Sequence, residues 1–179
     1  KYYTYSEYPN VKEIPAPRND LIKTERYVIN KVQTTRGCPF DCDFCSVKAF
    51  SGNQYRIKKI EQTIKEIQSL SPTYDINIFG HKLKSPKTLL FADDNLIGNK
   101  PYAKKFLEAI MPLKLTDWYC QSSINLGRDK EMISMMKEAG CHSVIIGIES
   151  VMPATIQSMD KKINKVEDYR ECIANIQSA

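Results

Sequence analysis

Three cysteines fall within the stretch Cys38-Pro39-Phe40-Asp41-Cys42-Asp43-Phe44-Cys45, three residues apart and then two. Thiolates this close suit a soft metal centre: zinc, copper(I) or an iron–sulfur cluster. Structural zinc takes four protein ligands, and here a fourth would have to come from His81, His142 or a distant cysteine. The Cys-x3-Cys-x2-Cys spacing also differs from the paired hooks of zinc ribbons. On ligand chemistry alone an iron–sulfur cluster is the first reading, structural zinc the second and uncommitted thiols the third. A cubane held by three thiolates keeps one iron open to a chelating group, and the protein must then place an acceptor against that iron.

These residues need a scaffold. Tyr27–Thr35 reads as a β-branched strand running into Arg36-Gly37 and the cysteine loop. Ile57, Ile60, Ile64 and Ile67 recur at helical spacing, and Ser71-Pro72 stops that helix. Residues 75–80 alternate briefly, as an edge strand or a loop. Thr88–Ala92 is a short apolar strand that ends in Asp93-Asp94-Asn95. Pro101 opens a helix through Ala103, Phe106, Leu107 and Ile110. Leu115–Gln121 is a third strand, and Met132, Ile133, Met135 and Met136 mark a helix closed by Gly140. Ser143–Ile148 is a fourth strand, Pro153 opens a short helix, and Asn164 with Glu167 forms a capping pair for the last one. Four strand–helix units in series imply an α/β fold with a parallel sheet. Functional groups in such folds gather at the C-terminal strand ends. Four loops qualify: Arg36–Cys45, Asp93–Asn95, Gln121–Ser123 and Gly147–Ser150.

The bulk numbers agree with one ordinary domain: 179 residues, 42% hydrophobic and 26% charged. No run is apolar enough to cross a bilayer and no signal peptide is visible, so a cytoplasmic, reducing setting is expected. Cys120, Cys141 and Cys172 read as small buried hydrophobes. The net charge of +5, with basic stretches at Arg56–Lys59 and Lys82–Lys84, reads as a lysine-rich solvated surface. No nucleic-acid module accompanies it, and no nucleic-acid partner is expected. Residues 1–27, broken by Pro9, Pro15 and Pro17, read as an extended arm or interdomain linker before a core at 28–179. A start at Lys1 without methionine reads as a fragment.

Cys38-x3-Cys42-x-Phe44-Cys45 resembles the signature of the radical S-adenosylmethionine enzymes, including the aromatic residue before the last cysteine. The stretches Phe91–Asn99 and Gly147-Ile148-Glu149-Ser150, with the arm's Pro15–Leu21, resemble the branch whose full-length members carry a cobalamin-binding domain before the radical domain. The resemblance implies a partial (β/α) TIM-like barrel, here truncated to about four β/α units. It implies a [4Fe-4S] cluster on Cys38, Cys42 and Cys45, and S-adenosylmethionine chelated at the fourth iron. Reductive cleavage would yield methionine and a 5′-deoxyadenosyl radical, in service of a cobalamin-dependent methylation in the full-length protein. Phe44 would lie near the adenine. Asp93, Asp94 or Asn95 would receive the cofactor's ammonium, where many relatives carry a glycine–glycine–glutamate stretch. Gln121, Ser123 and Asn125 would meet ribose or methionine, and Glu149 the ribose or amino group. No catalytic side chain is singled out. The implied partners are a small-molecule substrate, a reductant such as flavodoxin or ferredoxin, an N-terminal cobalamin domain and further barrel units after the chain. Cobalamin itself is not expected on these residues. The alternative is a non-catalytic electron-transfer or structural metal module.

Overall fold

Apolar strands of four to six residues, separated by helices with one apolar face, must bury the strands at the centre and the helix stripes against them. That is the arrangement found in the computed structural model, which describes residues 7–23, 26–52 and 54–179. In chain order the elements are β1 (Ile29–Val32), β2 (Thr35–Arg36), α1 (Ser46–Ser51), β3 (Arg56–Ile57), α2 (Ile60–Gln68), β4 (Thr73–Ile78), β5 (His81–Pro86), β6 (Thr88–Phe91), α3 (Lys100–Ile110), β7 (Trp118–Ser122), α4 (Lys130–Glu138), β8 (Cys141–Ile146), α5 (Pro153–Ser158) and α6 (Tyr169–Gln177). A four-stranded parallel sheet runs β1-β6-β7-β8. This is the expected α/β architecture, a partial (β/α) barrel of four units.

The core is set by Phe91 on β6, which meets Phe106 of α3 and Trp118 of β7 edge-on, with ring centroids 5.2 and 5.1 Å apart. All three are fully buried. Truncating any one to alanine would cost roughly 3–5 kcal/mol. The Trp118 indole N–H is satisfied by the Ala139 carbonyl at 2.7 Å. Local sequence fixes the helix ends. The Asn99 side chain accepts from Tyr102 N at 3.0 Å to cap α3, with Pro101 in its first turn. Asp129 caps α4 through Met132 N. Gly140 adopts φ +90°, and a Cβ there would lie 1.7 Å from the Leu115 carbonyl oxygen, so only glycine closes this unit.

Three local expectations are corrected. Ile57 does not begin a helix. It pairs in β3 with Thr35, because the chain leaves the main sheet after Val32 to form the small β2–β3 ladder. Residues 73–86 form a complete hairpin. Its second strand carries two lysines, a histidine and a proline, which mask strand character. Asn164 does not cap the last helix. Its amide donates to the Gly147 and Ile148 carbonyls and to Tyr169 Oη, and a short 3-10 turn at Val166–Asp168 leads into α6 instead.

Part of the expected arm, residues 1–6, 24 and 25, lies outside the described residues. Residues 8–14 lie against the β3–α2 side of the body. Val11 is buried, Tyr8 stacks under the Arg56 guanidinium at 4.6 Å, and Gln62 donates to the Ile14 carbonyl. At the other end, Ile145 of β8 is half exposed.

Candidate functional site

The end of β6 organises the site. Asp93 is fully buried. Its Oδ1 accepts from the backbone N–H and hydroxyl of Thr34, both at 3.0 Å, from the Thr35 hydroxyl at 2.6 Å, and from the Thr35 N–H. Its Oδ2 is buried without a partner. Desolvation outweighs the four hydrogen bonds and raises this carboxyl to about 6. Asp94 turns the other way, and its Oδ2 accepts from Gly37 N at 3.0 Å. Gly37 holds φ +90°, and a Cβ there would lie 2.1 Å from the Gln54 carbonyl oxygen. The two carboxylates therefore fix the strand end and the first residue of the cysteine loop before any ligand arrives.

The loop itself is a tight turn, with Cys45 N donating to the Cys42 carbonyl at 3.1 Å. Asp43 N donates to the Met159 carbonyl, which ties the loop to the end of α5. The three thiols are free. Burial pushes the Cys38 thiol up, and does the same at Cys42, where the nearby Lys161 ammonium pulls in the opposite direction. Metal binding would have to displace those protons.

One cavity of about 280 Å³ lies at the C-terminal strand ends. Cys38, Cys42, Cys45, Phe44, Asp94, Asn95, Gln121, Ser123 and Glu149 all border it. The structure thus brings together the proposed ligand residues from four separate loops, with two exceptions, Asp93 and Asn125. Asp93 is not on the cavity wall; its carboxyl is spent on Thr34 and Thr35 behind it. The expectation that any of Asp93, Asp94 and Asn95 could meet a ligand narrows to the latter two. Asn95 donates to Ser123 Oγ at 3.1 Å, Ser123 donates on to Asn125 Oδ1 at 2.5 Å, and Asn95 Oδ1 is buried without a partner.

Sequence reasoning missed Lys161. It is 8% exposed, yet its ammonium borders the cavity. It donates to Glu149 Oε1 and to the Gly147 carbonyl, each at 2.8 Å, and lies 5.6 Å from the Phe44 ring centroid. Glu149 takes φ +64° to reach it. Gly147 leaves the room: a Cβ there would lie 2.5 Å from Glu149 Oε1 and 2.9 Å from the ammonium. Nothing in the local pattern marks Lys161 among neighbouring lysines. Its role comes from the fold, which returns the turn after α5 to the residues that follow β8.

Three soft thiols on one cavity wall are a donor set that an iron–sulfur cluster would suit. The thiols border a cavity, and among the described residues no three His, Cys, Asp or Glu side chains converge on one metal-ion position. The orphaned Asn95 oxygen and the Lys161–Glu149 pair add an acceptor and both charges, as a zwitterionic amino-acid group would require.

The Radical SAM superfamily model matches residues 32–179. An uncharacterized methyltransferase of Pyrococcus horikoshii is 33% identical over 163 residues, covering 86% of this chain and 32% of that protein. The hopanoid C-2 methylase of Rhodopseudomonas palustris is 27% identical, covering 92% of this chain and 30% of its own length. The chain spans about a third of these relatives. Among solved structures, the cobalamin-dependent S-adenosylmethionine radical enzyme OxsB superposes with a TM-score of 0.73 at 17% identity, covering 98% of this chain and 26% of that one. The radical S-adenosylmethionine methyltransferase TsrM of Kitasatospora setae gives 0.68 at 17%, covering 86% and 29%. These likenesses establish the fold, and the family match over most of the chain places it in a group: this protein belongs to the radical SAM superfamily.

Proposed function

We infer that this chain is the radical core of a longer S-adenosylmethionine-dependent enzyme, with Cys38, Cys42 and Cys45 holding a [4Fe-4S] cluster. The carrying observation is convergence. Three thiols, Asp94, Asn95, Ser123 and the Lys161–Glu149 pair border a single cavity at four parallel strand ends. A cluster bound there supplies the electron that splits S-adenosylmethionine to methionine and a 5′-deoxyadenosyl radical. The chain's own residues bind and orient. Asp94 and the unpartnered Asn95 oxygen accept from the cofactor's ammonium, while Lys161 meets its carboxylate and Glu149 or Gln121 a ribose hydroxyl. Phe44, half exposed on the rim, offers a face to the adenine. The relatives' names as methyltransferases and methylases support a methylation in the whole protein, with cobalamin and the substrate pocket supplied by segments beyond this chain, and a flavodoxin or ferredoxin as reductant.

The test is anaerobic reconstitution with iron and sulfide, reduction, addition of S-adenosylmethionine and assay of 5′-deoxyadenosine. Cleavage lost in each of Cys38→Ala, Cys42→Ala and Cys45→Ala supports the reading. A cluster that forms without S-adenosylmethionine binding favours a non-catalytic electron-transfer module, and a protein that takes up only zinc sinks both.

A further inference from the structure

The β4–β5 hairpin stands apart from the cavity. It leaves the body after α2 and returns directly into the start of β6, so it projects from the end of the sheet opposite the cysteines. Its root is tied: Lys87 N donates to the Pro72 carbonyl at 2.9 Å, and Asn30 donates to the Ser71 carbonyl at 2.8 Å. The register pairs Ile76 with Leu83 and Ile78 with His81, and pairs Asp75 with Lys84 and Asn77 with Lys82. Cross-strand partners share a face. One face therefore carries Tyr74, Ile76, Ile78 and Leu83 with His81 and Ser85, and the other carries Lys82 and Lys84 with Asn77 and Asp75. At the tip Phe79 holds φ +50° and is 98% exposed. Ile78 and Leu83 are 44% and 52% exposed. No acidic residue occurs between Asp75 and Asp93.

A two-stranded hairpin with an apolar face is marginal in water and calls for a cover. A left-handed tip position is ordinarily given to Asn, Asp or Gly, so turn geometry does not explain Phe79. A second copy fits poorly. Pairing along β5 sets Lys82 and Lys84 against their own like charges, and pairing along β4 leaves Phe79 in water. An apolar tip backed by Lys82 and Lys84, against the single carboxylate of Asp75 further from the tip, matches a different surface. The ring can enter the headgroup–acyl boundary while lysine stems reach up to phosphates.

We propose that this hairpin docks the protein on an anionic phospholipid bilayer, with Phe79, Ile78 and Leu83 entering the interface and Lys82 and Lys84 meeting the headgroup phosphates. The contact is peripheral and reversible, since one small apolar tip and two lysines are each weak anchors. It leaves the cavity, at the other end of the sheet, open to water. It is independent of cluster loading, so it stands or falls apart from the proposed radical chemistry.

The experiment is co-sedimentation of the 179-residue chain with vesicles of phosphatidylcholine alone and of phosphatidylcholine mixed equally with phosphatidylglycerol. The mixed vesicles should pellet the chain and the neutral ones should not, with binding weakened by salt. Phe79→Ser should weaken partitioning about tenfold or more. Lys82→Ala with Lys84→Ala should weaken it about 30-fold, at about 1 kcal/mol per basic residue. These side chains are exposed, so the variants keep the core. Phe79→Trp should show blue-shifted emission on mixed vesicles alone, against the constant signal of buried Trp118. Absence of pelleting, equal pelleting by both vesicles, or undiminished pelleting of Phe79→Ser overturns the proposal. So does a dimer in solution that Phe79→Ser dissociates, or RNA binding lost with the two lysines while vesicles are ignored.

Discussion

Replacing Asp93 by asparagine should make the protein's stability less sensitive to pH, in a direction opposite to that of a salt-bridged carboxylate. Burial raises this carboxyl from 3.8 to about 6 in the folded chain. The folded state therefore binds the proton more tightly than the unfolded state, and stability falls as pH rises through that window. Below the unfolded value both states are protonated and nothing is lost. Above about 6 the folded state holds a desolvated carboxylate whose Oδ2 has no partner. The shift of roughly two pH units corresponds to about 3 kcal/mol. Asparagine keeps an acceptor oxygen for the four donors of Thr34 and Thr35 and cannot ionise. The stability difference between Asp93→Asn and the parent should thus grow by about 3 kcal/mol in favour of asparagine between acid and neutral pH. Urea unfolding of the metal-free chain at a series of pH values measures it. Parallel pH profiles for the two proteins would refute the buried-carboxyl account. Asp93→Ala separates the two roles, because it removes the charge but strands two buried N–H donors, and it should destabilise at every pH.

Lys58→Met should cost about 3–5 kcal/mol, since it leaves Glu66 buried without its 2.8 Å partner, while adding Glu66→Met should recover most of that; thermal melts read both, and an equal loss in the double variant would contradict a desolvated pair. Any one of Cys38→Ala, Cys42→Ala and Cys45→Ala should abolish the visible absorbance of the reconstituted cluster, whereas Cys172→Ala, on the α6 stripe, should leave it intact. Lys161→Met should lower S-adenosylmethionine affinity about tenfold or more without changing iron content, the worth of a charged hydrogen bond; equilibrium dialysis showing unchanged affinity would return Lys161 to a purely structural role.

The parallel sheet was legible because its strands are short, apolar and separated by clean 3.6-residue periodicity, and because Pro101 and Gly140 punctuate the helices where backbone geometry demands them. The cysteine loop was legible because ligand spacing is local. What escaped shares one cause: its meaning lies in tertiary contact. Thr34 and Thr35 look like strand residues, but Asp93, 58 or 59 positions away, draws them out of the ladder. Ile57 fits a helical stripe and is overridden by pairing with Thr35. Asn164 has the spacing of a cap and instead closes the carbonyls that Gly147 and Ile148 leave behind. Lys161 is one lysine among many until the turn after α5 brings it to Glu149.

The order of the three residues after β6 explains how one strand end holds the cysteine loop. Consecutive side chains on an extended exit point in alternate directions, so one short segment can address several neighbours. Asp93 reaches inward to the end of β1, Asp94 reaches up to Gly37, and Asn95 reaches across to Ser123 beyond β7. A single strand end thereby ties three others, and Lys161 with Asn164 does the same for β8. The ties use carboxylates and amides because a strand end leaves backbone N–H and C=O groups without ladder partners, and buried ones must be satisfied. The polar density of the site is therefore partly the price of ending a buried parallel sheet. What exceeds that requirement is small and specific: the three thiols, the Asp94 carboxylate on the cavity wall, the unpartnered oxygen of Asn95, and one buried ammonium facing one carboxylate. Those surplus groups, rather than the polar loops as a whole, are where ligand chemistry has to be sought.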